Sequence, residues 1–376
     1  MLYYLAEWLK NLLHPPGFGL FQYITFRSAA AAITALLISF WLGPKIIRIL
    51  KKRQIGEQAK HELTGIGEHK GKAGTPTMGG LIVLAALLIP TILWANITSA
   101  YIILILITTA FLGGVGFLDD YLKVILHLRK GLIARYKLFG QIFIGLVLGC
   151  AIYFFPDWFY SGFDHVKTLT TVPFAKDINL DFSLLYIPII VLILTFTSNA
   201  VNLTDGLDGL AIGTVGIVAL PLAVISYVSG NIKFADYLNI IYLPGSGELT
   251  IFCSALVGAA LGFLWYNSYP ASIFMGDTGS LALGGAIGGL CILIKKEFLL
   301  PILGGIFFAE GISVIIQVSY FKYTKKKYGE GRRIFKIAPL HHHFEKSGWH
   351  ESKIVLRFYI MAVMLAIITM ATFKVR

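Results

Sequence analysis

Apolar runs recur from one end of this chain to the other, each long enough to cross a bilayer as a single helix. Mean hydropathy is +0.75 and only 14% of the residues are charged, against about 25% in an ordinary soluble domain. The chain is read as an all-α polytopic membrane protein, a single integral membrane domain over residues 1–376. Ten spans are expected at 24–49, 77–95, 100–121, 137–155, 184–200, 208–228, 249–267, 279–295, 299–323 and 353–373. Pro301 is expected in the first turn of the ninth span, where proline is tolerated. Residues 1–20 read as an interfacial amphipathic segment ended by HPPG at 14–17.

Orientation follows from the basic residues. The net charge of +12 is attributed to cytoplasmic loops beside anionic lipid rather than to nucleic acid. With the N-terminus outside, segments 50–75, 120–137, 199–208, 266–279 and 324–353 lie inside and hold nineteen Lys and Arg, against eight in the outside segments and tails. Both termini are therefore expected in the periplasm, and 324–353 forms a His-containing cytoplasmic loop. The outside segment 156–183 mixes aromatic and β-branched residues and reads as a small hairpin. Cys150, Cys253 and Cys291 each sit in a separate apolar run, as small buried residues. No cleaved signal peptide and no internal repeat are read, and the Asn96-Ile97-Thr98 sequon is of a kind that arises by chance.

The polar exceptions gather in the segments placed inside. Thr197 to Leu210, TSNAVNLTDGLDGL, carries Asn199, Asn202, Asp205 and Asp208 with no Lys or Arg to offset the acids. If the next helix starts there, Asp205 and Asp208 share a face, and Gly206 and Gly209 leave backbone free for close approach by a ligand. Asp205 as the N-cap of that helix is the plainer alternative. Gly113 to Leu122, GGVGFLDDYL, sets Asp119 and Asp120 side by side near the negative end of an apolar helix. The dipole, the mutual repulsion and the membrane interface all disfavour two charges there. A divalent cation would offset that cost, and one member can then act as a general base; a simple ion pair with Lys123 is the alternative. Trp265 to Ser280 places Asp277 at a helix start, as a ligand or a cap, with Tyr266 and Phe274 as faces for a base and Asn267 as an amide.

Two basic segments complete the set. Lys70 to Gly80, KGKAGTPTMGG, offers Lys72 to a phosphate, to a base carbonyl or merely to solvent. Arg332 to Glu345, RRIFKIAPLHHHFE, holds three successive histidines. Adjacent histidines rarely point at one ion. With Arg332, Arg333 and Lys336 nearby, they read as donors to a diphosphate, or as a plain surface run. Oxygen-only ligands from three loops suit Mg²⁺. Mg²⁺, a basic clamp and an aromatic shelf describe phosphoryl transfer from a nucleotide. At a bilayer surface the acceptor is expected to be a lipid phosphate.

These stretches resemble a family. GTPTMGG at 74–80, LDDY at 118–121, NAVNLTDGLDG at 199–209, FMGDTG at 274–279 and PLHHHFE at 339–345 are similar to MraY, the bacterial phospho-N-acetylmuramoyl-pentapeptide transferases. The likeness covers the whole chain. The aspartate motifs alone would also fit the wider superfamily of polyprenyl-phosphate sugar-1-phosphate transferases, including the WecA type that uses UDP-GlcNAc. The resemblance implies that UDP-MurNAc-pentapeptide and undecaprenyl phosphate give lipid I and UMP with Mg²⁺, in the bacterial inner membrane, with the cleft facing the cytoplasm and the enzyme a homodimer. It implies that Asp277 holds the metal, that Asp119 is the base with Asp120 assisting, and that His341 belongs with these catalytic groups. Lys72, Asn202, Asp205, Asp208, Asn267 and Phe274 would form the nucleoside pocket. His342 and His343 would meet the diphosphate or sugar, and Asn199, Gly206, Leu207 and Gln317 complete the substrate-binding set.

Two mechanisms fit: direct attack of the lipid phosphate on the β-phosphorus, or prior attack by Asp277 with a covalent intermediate. Direct attack is preferred, because a carboxylate engaged with Mg²⁺ is a poor nucleophile. A transporter would need ionisable residues near mid-membrane. The span centres hold almost none. Glu310 and Gln317 are the main exceptions; Gln317 is read as lining the cleft, and Glu310 has no place in the scheme.

Overall fold

The computed structural model describes residues 1–13, 18–52, 74–128, 131–175 and 178–373. Lys72 and the HPPG stop at 14–17 lie outside the described residues. Fourteen α-helices make up most of what is described. An N-terminal α1 (Leu2–Leu13) precedes α2 (Ile24–Lys52), α3 (Gly80–Trp94), α4 (Ala100–Val124) and α5 (Ala134–Phe154). Next come α6 (Tyr186–Thr204), α7 (Leu210–Ser229), the short α8 (Ile232–Leu238), α9 (Leu249–Asn267) and α10 (Gly276–Leu293). The chain closes with α11 (Leu300–Leu303), α12 (Gly305–Tyr328), α13 (Leu340–Glu345) and α14 (Glu351–Thr372).

Ten of these helices overlap the ten expected spans. Nine are long and apolar enough to cross a membrane, and α3, with 15 residues, is shorter. The ninth span departs from expectation. Pro301 does sit in a first helical turn, but that helix ends after Leu303 and a new one starts beyond Gly304. The chain therefore bends where the single span 299–323 was expected.

Helix α10 is the hub. In its apolar stretch 89% of residues are buried by protein, against 22% in α2. Its sequence, GDTGSLALGGAIGGLCIL, explains this. Lipid supplies no hydrophobic drive between helices, so close van der Waals approach decides who packs where, and small residues permit it. Against α3 a Cβ on Gly80 would overlap the Gly279 nitrogen, and against α4 a Cβ on Gly116 would overlap the Asp277 carbonyl. That contact holds the start of α10 against the end of α4 and sets the positions of Asp119, Asp120 and Asp277. On the outer helices Trp41, Ile315 and Ile367 are exposed, on surfaces that a bilayer would cover.

At the other end of the bundle, β1 (Leu169–Thr171) pairs antiparallel with β2 (Asn179–Asp181), Thr170 opposite Leu180. The hairpin seals a buried polar group in the connection after α10. Lys295 Nζ donates to the Lys167 carbonyl at 2.5 Å and to the Tyr186 hydroxyl at 2.9 Å. Tyr186 and Thr170 donate in turn to the two carboxylate oxygens of Glu297. Burial pushes the Lys295 ammonium down to about 7, against a smaller upward pull from Glu297, and raises the Glu297 carboxyl.

Candidate active site

Asp119, Asp120 and Asp277 each offer one carboxylate oxygen, and the three oxygens lie within 4.8 Å of one another. Two come from the last turns of α4 and one from the first turn of α10. Three acids this close need cations, and two lysines supply them. Lys137 Nζ stands 2.7 Å from Asp119 Oδ2 and 2.5 Å from Asp277 Oδ2. Lys123 pairs with Asp119, one helical turn away, and reaches Asp277 Oδ2 at 3.0 Å. The ion pair weighed for Lys123 is therefore present, but it is shared by both acids. Lys137, from the first turn of α5, was missed in the sequence because nothing local marks it; only folding brings it to the cluster.

The three acids have different surroundings. Asp119 is fully buried, and its Oδ1 accepts the Leu132 N–H at 2.6 Å. Asp120 is bound to the backbone of α10, accepting the N–H groups of Asp277 (3.0 Å) and Thr278 (2.9 Å) and the Thr278 hydroxyl (2.5 Å). Both its oxygens are committed, so it fastens α4 to the amino end of α10. Asp277 is not the cap of α10, whose N-cap is Met275. Its Oδ1 accepts from Asn202 Nδ2 at 2.8 Å, and Asn202 also donates to Ser280. Asn202 thereby orients Asp277 from the end of α6.

A second group surrounds 205–209. The expectation of a shared helical face for Asp205 and Asp208 is corrected: α6 ends at Thr204, Asp205 follows as its C-cap, and α7 starts only at Leu210 after a left-handed Gly209. The two acids stand on a turn. Asp208 Oδ2 accepts the Ala271 N–H at 3.0 Å, and the Asp208 N–H donates to Glu351 at 2.7 Å. Asn267 accepts from the Gly209 N–H and donates to the Ile273 carbonyl. Tyr359 donates to the Gly209 carbonyl at 2.7 Å. Leu207 is buried in an apolar cluster with Leu210, Ile306 and Ile354. Glu351 and Tyr359 on α14 were not singled out in the sequence, where nothing distinguishes them from residues of an ordinary last span.

The remaining expected residues fall around these two groups. Phe274 pairs its backbone with the 76–79 segment, accepting from Gly79 N–H and donating to the Pro76 carbonyl, both at 2.8 Å. Asn199 donates to Gln141 and to the Thr195 carbonyl. Gln317 is engaged by the His-containing loop: it accepts from the N–H groups of Ile334 and Phe335 and donates to the Phe335 carbonyl. Beside it opens a groove of about 520 Å³ with Lys322, Arg333 and Lys346 in its lining. His342 pairs with Glu345 at 2.8 Å, and His343 Nδ1 accepts the Lys336 N–H. His341 is fully buried against Gly206 and Glu310. The three histidines thus have three different environments and do not converge on one point.

Carboxylates and ammoniums meet here at one end of a bundle of membrane-length helices, and residues 102–295 match the family Glycosyl transferase family 4. The fold and site thus define a membrane-embedded glycosyltransferase of that class. Residues 72–84 match phospho-N-acetylmuramoyl-pentapeptide-transferase signature 1. The chain is 51% identical to the phospho-N-acetylmuramoyl-pentapeptide-transferase of Chloroherpeton thalassium, over the full length of both chains. It is 47% and 48% identical to the proteins of that name from Flavobacterium johnsoniae and Salinibacter ruber, again with both chains fully covered. The chain belongs to the phospho-N-acetylmuramoyl-pentapeptide-transferase family.

Proposed function

We propose that this protein transfers phospho-N-acetylmuramoyl-pentapeptide from UDP-MurNAc-pentapeptide to undecaprenyl phosphate, giving lipid I and UMP. The observation that carries the reading is the meeting of Asp119 and Asp277 around the ammoniums of Lys123 and Lys137. Full-length identity near one half to proteins named for this transfer supports the muramoyl donor over UDP-GlcNAc, and the transfer over transport.

The donor set suits Mg²⁺: Asp119, Asp120 and Asp277 each offer a carboxylate oxygen to one small cluster, and hard oxygen donors are what that ion takes. Asp277 would hold the ion, which when bound neutralises diphosphate charge. Lys123 and Lys137 exchange carboxylate contacts for phosphate oxygens as the nucleotide enters. Asp119 takes the proton of the lipid phosphate. The freed oxygen attacks the β-phosphorus; the new O–Pβ bond forms as the bridge to the α-phosphate breaks, and UMP leaves. Asn202 keeps Asp277 aimed, and Asp120 keeps both acid-bearing helices in register. Asp205, Asp208, Asn267 and Phe274, with Lys72 from the 53–73 segment, form the nucleoside side, and His342 and His343 the sugar-diphosphate side.

The cluster is taken to lie on the cytoplasmic face of the bacterial inner membrane, a reading supported by the basic residues of segments 50–75, 120–137 and 324–353. The undecaprenyl chain then stays in the bilayer while its phosphate meets the cluster at the interface. The working assembly is taken as a homodimer, to be checked by cross-linking in native membranes. Incubation of purified protein with UDP-MurNAc-pentapeptide, undecaprenyl phosphate and Mg²⁺ should release UMP and produce lipid I; no lipid product, or equal turnover of UDP-GlcNAc, would refute the assignment. Nucleotide alone should give neither stoichiometric UMP nor sugar-phosphate attached to Asp277, since either would favour the covalent route.

A further inference from the structure

Glu310 is a buried acid that the proposed reaction leaves without a task. It sits in α12, fully buried. An ionisable group inside a membrane helix is costly and is tolerated where a partner meets it. The partner is His341, from α13. Glu310 Oε1 accepts the His341 backbone N–H at 3.1 Å. Its Oε2 stands 3.3 Å from His341 Nδ1. Among the described residues, neither Oε2 nor either ring nitrogen has a hydrogen bond of its own. The far side of the ring is closed by the loop after α6: a Cβ on Gly206 would overlap His341 Nε2. Gly206 itself is exposed, so the imidazole lies directly beneath the surface of the 205–209 turn.

We infer that Glu310 is a positioning residue that acts through His341: its carboxylate holds the imidazole with the proton on Nδ1 and the bare Nε2 against Gly206, and so sets the 205–209 turn for the nucleotide. This rests on the transferase reading. A carboxylate behind an imidazole fixes both the tautomer and the ring plane. An uncommitted ring would present either a proton or a lone pair to the backbone at Gly206, and the turn would adopt two arrangements instead of one. The same turn is held from α14 by Glu351 and Tyr359, which leaves the His341 side as the one supported by an imidazole.

The test is Glu310→Gln, which keeps the shape and an acceptor for the His341 N–H but turns an amide donor toward Nδ1, driving the ring proton to Nε2. Initial rates are measured in detergent, varying each substrate in turn, with thermal stability alongside. The expected result is a roughly tenfold higher KM for the nucleotide, an unchanged KM for the lipid phosphate, and a partial return in Glu310→Asp. In a His341→Gln background, Glu310→Gln should add little further loss. Equal rises in both KM values, or a full further loss when His341 is already replaced, would overturn the inference. Should Glu310→Gln not fold, Glu310→Asp decides, because withdrawing the carboxylate by one methylene must raise the nucleotide KM. Wild-type protein that releases no UMP would overturn the transferase reading itself. Wild-type turnover matched by Glu310→Gln would overturn the positioning role alone.

Discussion

The carboxylate of Asp120 accepts the backbone N–H of Asp277 at 3.0 Å, so one acid of the cluster holds in place the helix that carries another. Asp120 also takes two donors from Thr278. Asp120→Asn would leave one of these donors facing an amide N–H. A buried donor without its acceptor costs about 1–3 kcal/mol. Thermal stability in detergent should fall, and turnover should fall with it because Asp277 is displaced.

Asp277→Asn should behave in the opposite way. Its carboxylate sits in the cluster without supporting any backbone, so the variant should fold and extract like wild type while lipid I synthesis is lost. Normal turnover of that variant would contradict the central role given to Asp277.

Lys137 joins Asp119 to Asp277 with a single ammonium. Lys137→Met should reduce turnover by roughly 10²–10³-fold, the order found for removing one preorganised donor to developing charge. Steady-state rates would show this, and a loss under threefold would remove Lys137 from the site.

Removal of divalent cations should stop the reaction. EDTA is expected to abolish UMP release, and excess Mg²⁺ to restore it, if Asp277 holds the ion as proposed. Undiminished turnover in EDTA would refute the metal role proposed for Asp277.

Lys295 makes stability depend on pH at the far end of the bundle. Its pKa is about 7 in the folded protein and near 10.5 when unfolded. Between those values the unfolded chain binds the extra proton, so stability rises with pH through that window. Wild type should gain on Lys295→Met as pH increases from 7 to 10.5, by at most about 5 kcal/mol. Thermal melts at stepped pH measure the difference, and a gain in the reverse direction would refute the buried-ammonium account.

Most of the fold was legible in the residue order. Lipid imposes helices on apolar runs of bilayer length, and ten such runs are marked by composition alone. The acids were legible too, because Asp119, Asp120, Asp205, Asp208 and Asp277 are conspicuous in a chain this apolar. Their division of labour was not. Adjacent Asp119 and Asp120 look alike in sequence, yet one faces two ammoniums and the other the backbone of a helix more than 150 residues away. Lys137, Glu351 and Tyr359 carry no local pattern at all, and Glu310 stands out in its apolar span without showing its partner. Sequence determines where the helices lie and which segments can hold charge, since both follow from hydropathy and length. Only tertiary packing, governed here by the small residues of α10, decides which charges meet, because a contact between distant helices depends on how closely their backbones approach.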